Sequence, residues 1–229
     1  MNLFERIRDL DQHLFRNVPA APVEPFSDLI DDTDGAEFAE ALVATVSGTA
    51  ANRHLHAVGF PFAHLSQSRF SDGTFAVWYG SLALGTTLRE TIWHWVRDQE
   101  DVLDLDRKHW PLRLARDIYR VGCRAALVDL VGKQAEYPLL ISDDYSFCQG
   151  IGRRLHGEGH PGLLAPSARH AGGENATIFN PKVLKSSIAQ PERYLYIWQD
   201  PELSTPIVIR NLGTGRQQEI QLTHLGYRR

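Results

Sequence analysis

Apolar positions change their rhythm along the chain. Near the start, Leu3, Phe4, Ile7, Leu10, Leu14 and Phe15 recur at helical spacing with Glu5, Arg6, Arg8 and Asp9 between them, and the run stops before Pro19. A proline-punctuated stretch, 19–25, and an acidic one, 28–34, lead to Phe38, Leu42, Val43 and Val46, which predict a second amphipathic helix. From about residue 51 short apolar runs bounded by Gly, Pro or Asp take over. They predict strands over 55–60, 74–81, 118–123, 126–131, 162–165, 176–179, 194–198, 207–211 and 219–223, and helices over 87–98 and 145–155. Strands and helices do not alternate strictly, so the pattern predicts an α+β fold around a mixed sheet. The organisation expected is an N-terminal helical extension, 1–50, packed on a main domain, 51–229.

Composition narrows this only modestly. The 229 residues, 43% of them hydrophobic, can bury a core, and a net charge of -4 argues against a surface that coats nucleic acid. Cys123 and Cys148 are too few for a disulfide framework and read as small core residues in a reducing compartment. No apolar run is long enough to span a bilayer and no signal-peptide stretch opens the chain, so a cytoplasmic protein without membrane association is expected.

Candidate chemistry concentrates in residues 68–95. Arg69 precedes a turn, Tyr79 ends an apolar run, and Glu90 follows 11 positions later near the start of a helix. At about 100° per residue, Leu88, Ile92, Trp95 and Val96 form one stripe of that helix, whereas Glu90 points to the other side with Thr86 and Trp93. The segment alone allows two readings of Glu90: the last member of a Thr87 capping box, or a carboxylate aimed into a cleft. A strand feeding a helix N-terminus lets an arginine, an aromatic ring and a carboxylate converge, which suits a diphosphate, a stacked ring and a sugar cation. Tyr79 also reads as a packed sheet aromatic, and Arg69 as a turn residue braced by Asp72.

Together with the downstream runs 150–155, 162–169 and 172–181, these residues resemble the RES domain. The matching elements are Ser68-Arg69-Phe70, Val77-Trp78-Tyr79, the Glu90 helix, Ser167 after Pro166, and the glycine-rich turn before Asn180. Arg53, beside Asn52, best matches an earlier family arginine. The resemblance spans about 53–181, with Ser68 and Phe70 standing where the family pattern has Gly and Trp.

The resemblance implies a mainly antiparallel sheet of ADP-ribosyltransferase type and an enzyme that cleaves the nicotinamide–ribose bond of NAD. In that reading Glu90 stabilises an oxocarbenium-like transition state, Arg69 and Arg53 bind the diphosphate, Tyr79 stacks on nicotinamide or ribose, and Ser167 bonds a ribose or phosphate oxygen. NAD is substrate, and no resident cofactor or metal is expected. Phosphate or water would accept the ADP-ribose, with Arg169 or His170 available as a phosphate subsite; transfer to a protein target is the second reading. The family also implies a toxin held by a cognate Xre-type antitoxin, without direct nucleic-acid binding, and is compatible with a homo-oligomer. A metal-dependent hydrolase built on His54 and His56 or on His156 and His160, and a non-catalytic binding module, are the explanations of other classes.

Overall fold

A computed structural model describes residues 3–20, 54–100, 111–185, 189–199 and 205–225. The expected helix around Phe38 to Val46, and Arg53, lie outside them.

The organising element is a single 18-residue strand, β5 (Leu112–Asp129), where two shorter strands were expected. One edge of β5 is paired throughout residues 116–128 with β1 (Ile7–Pro19), from Pro19 opposite Arg116 to Ile7 opposite Val128. Its other edge is shared. The first part pairs antiparallel with β8 (Glu192–Trp198), while Val128 and Asp129 pair in parallel with β6 (Gly162–Pro166). From β6 the sheet continues through β7 (Glu174–Ile178) to β4 (Trp78–Ser81), which meets β1 where Ser81 faces Phe15. Strands β1, β4, β7, β6 and β5 therefore close into a ring. Strands β8, β9 (Ile207–Asn211) and β10 (Gln217–Ile220) extend from β5 as an open antiparallel wing. The fold is α+β, with a large mixed and mostly antiparallel sheet.

The ring has an apolar interior. Leu10, Leu14 and Val18 of β1, Trp78 of β4, Ala176 and Ile178 of β7, Leu164 of β6, and Val121, Cys123 and Leu127 of β5 form one cluster. Helix α1 (Leu84–Glu100) buries Leu88, Ile92, Trp95 and Val96 against the wing, on Tyr196, Trp198, Ile207 and Ile209. Helix α2 (Ser146–Gly157) packs Cys148, Ile151 and Leu155 on the outside of the ring, against Val128, Leu163 and Phe70. Both cysteines are free and buried, and burial pushes the Cys123 thiol up to about 11. Among the described residues no helix is long and apolar enough to cross a membrane.

Two expectations are corrected here. Residues 7–19, read as part of an N-terminal helix, form a strand. The buried positions Leu10, Leu14 and Val18 are spaced by four, an interval that keeps one face in both helix and strand, so the apolar pattern did not discriminate. Residues 55–60, read as a strand, form a π-helical turn, Leu55–Gly59, running into one α-helical turn, Phe60–Ala63. The consecutive residues Ala57 and Val58 are both buried while Leu55 and Phe60 are exposed, which strand alternation would not allow. The remaining strand and helix expectations differ mainly at their ends: only 78–81 of 74–81 is strand, and 3-10 helix Leu222–Leu225 follows β10.

Candidate active site

The rim of the ring where β4 and β6 end and β7 begins carries the polar cluster. Ser81, Asn175 and Ala165 are neighbours in register across these three strands. Because Ala176 and Ile178 point into the ring, strand alternation turns Asn175 outward, towards α1. There the Asn175 amide Nδ2 donates to Glu90 Oε1 at 2.8 Å, while Ser81 Oγ donates to its Oδ1 at 2.7 Å. Ser167, just past β6, donates to the same Glu90 oxygen at 2.6 Å. Glu90 and Ser167, 77 positions apart, are thus in direct contact.

The helix start removes one of the two readings of Glu90, the capping box. Helix α1 begins at Leu84, so Glu90 lies in its second turn, and the Thr87 N–H is already bonded to the Ala83 carbonyl. No capping box forms. Glu90 Oε1 accepts from both Ser167 and Asn175, and among the described residues Oε2 has no partner. Ser167 is fully engaged: its hydroxyl donates to Glu90 and accepts from the backbone N–H groups of Arg169 and His170 at 3.1 and 3.0 Å. It shapes its turn and orients Glu90 at once. Gly173 closes this turn against α1, where a Cβ would come within 2.8 Å of both His170 Nδ1 and Thr86 Oγ1.

Arg69 sits at the tip of a two-residue hairpin between β2 (Gln67–Ser68) and β3 (Ser71–Asp72). Such hairpins usually rely on residues with positive φ, yet no described non-glycine residue has one, so the turn is held from outside. Tyr79 Oη accepts from the Phe70 N–H and bonds Ser68 Oγ, each at 2.9 Å, and Gln149 of α2 donates to the Ser68 carbonyl at 3.1 Å. The Ser68 hydroxyl thus gives Tyr79 Oη a partner that glycine could not supply. The Arg69 guanidinium donates to the Ser142 carbonyl at 2.5 Å and lies 4.5 Å from the Tyr145 ring centroid. Asp72 does not brace it; that carboxylate accepts from Thr74 and pairs with Arg153, and the Thr74 bond, then Arg153, hold its pKa well below the usual range.

His94, one turn beyond Glu90, was not anticipated from the sequence, although the i, i+4 spacing was there to read. It is solvent-accessible, yet surrounding protein lowers its pKa. The Glu90 carboxylate opposes that shift, whereas the Arg169 and Arg69 guanidinium groups add to it. Contacts link three of these groups: neighbouring residues Ser142 and Asp143 hold Arg69 and Arg169, and Ser167 bonds both the Arg169 N–H and Glu90. Asn175 also escaped sequence reading; its only signal was a polar side chain on the outward register of an apolar strand.

Of the histidines considered for a metal, two have other contacts: His160 lies 3.5 Å from Glu158, and His156 packs on aromatic rings. His54 and His56 begin the helical segment, and His156 stacks on Phe75 at 4.4 Å with its ring edge-on to Phe179. Among the described residues no three His, Cys, Asp or Glu side chains group as a metal site.

In comparisons with known proteins, the family model of the RES domain matches residues 17–198. No curated protein matches the chain.

Proposed function

The chain belongs to the RES-domain family, and from that premise we propose that it is an enzyme that cleaves the nicotinamide–ribose bond of NAD. The observation that carries this reading is the Glu90 carboxylate, held on one oxygen by Ser167 and Asn175 and left with the other for substrate. As the glycosidic bond breaks, its electron pair goes to the nicotinamide nitrogen, whose ring becomes neutral, and positive charge grows on the ribose. A preoriented carboxylate stabilises that charge without reorganising during the reaction. The leaving group needs no strong acid. An oxygen of phosphate or water then bonds the anomeric carbon, a water acceptor releasing one proton to solvent; transfer to a protein acceptor uses the same first step.

Arg69 is the diphosphate ligand in this scheme. Two carbonyls and the Tyr145 ring fix its guanidinium, and among the described residues no carboxylate neutralises it. Tyr79 positions Arg69 through the flanking residues, and its partly buried ring remains the candidate stacking surface. Ser167 acts by orienting Glu90. Arg53 keeps the role that the family pattern gives it, as a second diphosphate ligand.

An enzyme that drains NAD needs restraint, so the proposal extends to a toxin whose cleft is blocked by an Xre-type antitoxin. The test is NAD consumption with product identification, run with and without phosphate on the parent and on Glu90→Gln. The variant keeps the side chain's shape and loses its charge; a rate lower by about 10² to 10³ is expected. A folded Glu90→Gln protein that releases nicotinamide at the parental rate would remove Glu90 from the mechanism. For the toxin role, growth arrest on expression, relieved by a co-expressed neighbouring-gene protein, is the expected result, and harmless expression of an active enzyme contradicts it.

A further inference from the structure

Arg169 is the cation of the cleft that the scheme above leaves without a task. Its side chain is only 8% exposed, and its guanidinium lies 3.4 Å from the Trp93 ring centroid, so one face is covered by an aromatic plane. Trp93 stands three residues after Glu90 on α1, and the Arg169 backbone N–H bonds Ser167, the residue that orients Glu90. The guanidinium is thus built into the same rim as the carboxylate. Its ionic partner is Asp143, through Nη2 and Oδ1, and that partner is unusual for so buried a cation because its side chain is 55% exposed.

The neighbours of Asp143 add meaning to the pair. Ser142 gives its carbonyl to Arg69, and the Tyr145 ring lies against Arg69. Asp144 is committed elsewhere, accepting from Ser146 N and Oγ at 2.9 and 2.6 Å where the chain enters α2. One short stretch, 142–145, therefore touches both arginines, and only Asp143 in it offers a carboxylate to Arg169. A carboxylate on a guanidinium edge has the planar oxygen geometry that a phosphate group also presents. Asp143 can return to water at little cost because it is already mostly hydrated.

We propose that Arg169 is a phosphate-group subsite beside Glu90, and that Asp143 is an exchangeable carboxylate which occupies it until a phosphate group takes its place. The role in turnover rests on the NAD-cleaving reading, whereas the binding itself does not. The phosphate group has two sources: inorganic phosphate as the acceptor, or the diphosphate of NAD.

The experiment titrates the full-length parent, Asp143→Asn and Arg169→Gln, each in a Glu90→Gln background that suppresses NAD turnover, with inorganic phosphate and, separately, with NAD, by calorimetry at constant ionic strength. Asp143→Asn is expected to bind one of the two on the order of tenfold more tightly, since the competing charge is gone, and Arg169→Gln to bind that ligand more weakly than the parent. Tightening for inorganic phosphate assigns the acceptor; tightening for NAD alone assigns the diphosphate. Unchanged affinity of Asp143→Asn for both ligands overturns the proposal, as does parental binding of both by Arg169→Gln. Should Asp143→Asn not fold, Arg169→Lys decides: it keeps charge and loses the planar fork, so weaker binding supports the subsite and unchanged binding refutes it. A parent that binds phosphate and not NAD would count against the NAD reading while leaving the subsite standing.

Discussion

The Tyr79 hydroxyl grips the chain on both sides of Arg69, at Ser68 Oγ and at the Phe70 N–H, without touching Arg69 itself. Tyr79→Phe removes both bonds and orphans a backbone donor, which should cost roughly 1–3 kcal/mol of stability. If the grip positions Arg69, the variant also raises the KM for NAD more than it lowers kcat; an unchanged KM in a folded variant would separate the hydroxyl from the site. Burial pushes the Tyr79 pKa from 10.0 up to about 12. A raised folded-state value means that its contribution to stability is intact below pH 10 and is lost as the pH rises through 12. Denaturant midpoints measured across that window should fall more steeply for the parent than for Tyr79→Phe.

At the scale of elements, α2 serves the site by lying directly on the Arg69 hairpin. Gly152 makes this approach feasible: a Cβ there would stand 1.9 Å from the Phe70 carbonyl oxygen, and that backbone atom cannot swing aside like a side-chain tip. Gly152→Ala must displace the helix or the hairpin, at an expected cost of about 1–3 kcal/mol from overpacking. The same displacement loosens the Gln149 clamp on Ser68, so weaker NAD binding should accompany the lower melting temperature. A variant with parental melting and parental NAD affinity would show that α2 docks with more slack than this contact implies. The opposite face of α1 works similarly, with Thr86 bonding the His170 ring at 2.8 Å while Glu90 meets Ser167.

For the whole molecule, closure of the ring depends on β1. It supplies β5 with a 13-residue antiparallel partner and contributes Leu10, Leu14 and Val18 to the interior. Deleting residues 1–19 should expose an edge of β5 and three core positions together, leaving a chain that aggregates or unfolds without a cooperative transition. Circular dichroism melting of the truncated protein checks this. A dispensable N-terminal extension would instead leave the melting curve and the NAD assay unchanged.

The amino-acid sequence by itself determined local character. Short apolar runs bounded by Gly, Pro or Asp marked most strands of the sheet, and the 3.6-residue period of α1 separated the stripe Leu88, Ile92, Trp95 and Val96 from the side that carries Glu90. Arg69, Tyr79, Glu90 and Ser167 stood out as candidates because their residue types follow a family pattern of fixed order. Tertiary structure decided what periodicity leaves degenerate. The spacing of Leu10, Leu14 and Val18 fits helix and strand alike, and only the open edge of β5 selects the strand. Partnership was equally invisible: Asn175 and Ser167 reach Glu90, and Asp143 reaches Arg169, through strand register and chain reversals that bring distant positions together. Side-chain hydrogen bonds over such separations leave no local imprint, because each residue's own neighbours in the chain are compatible with several folds.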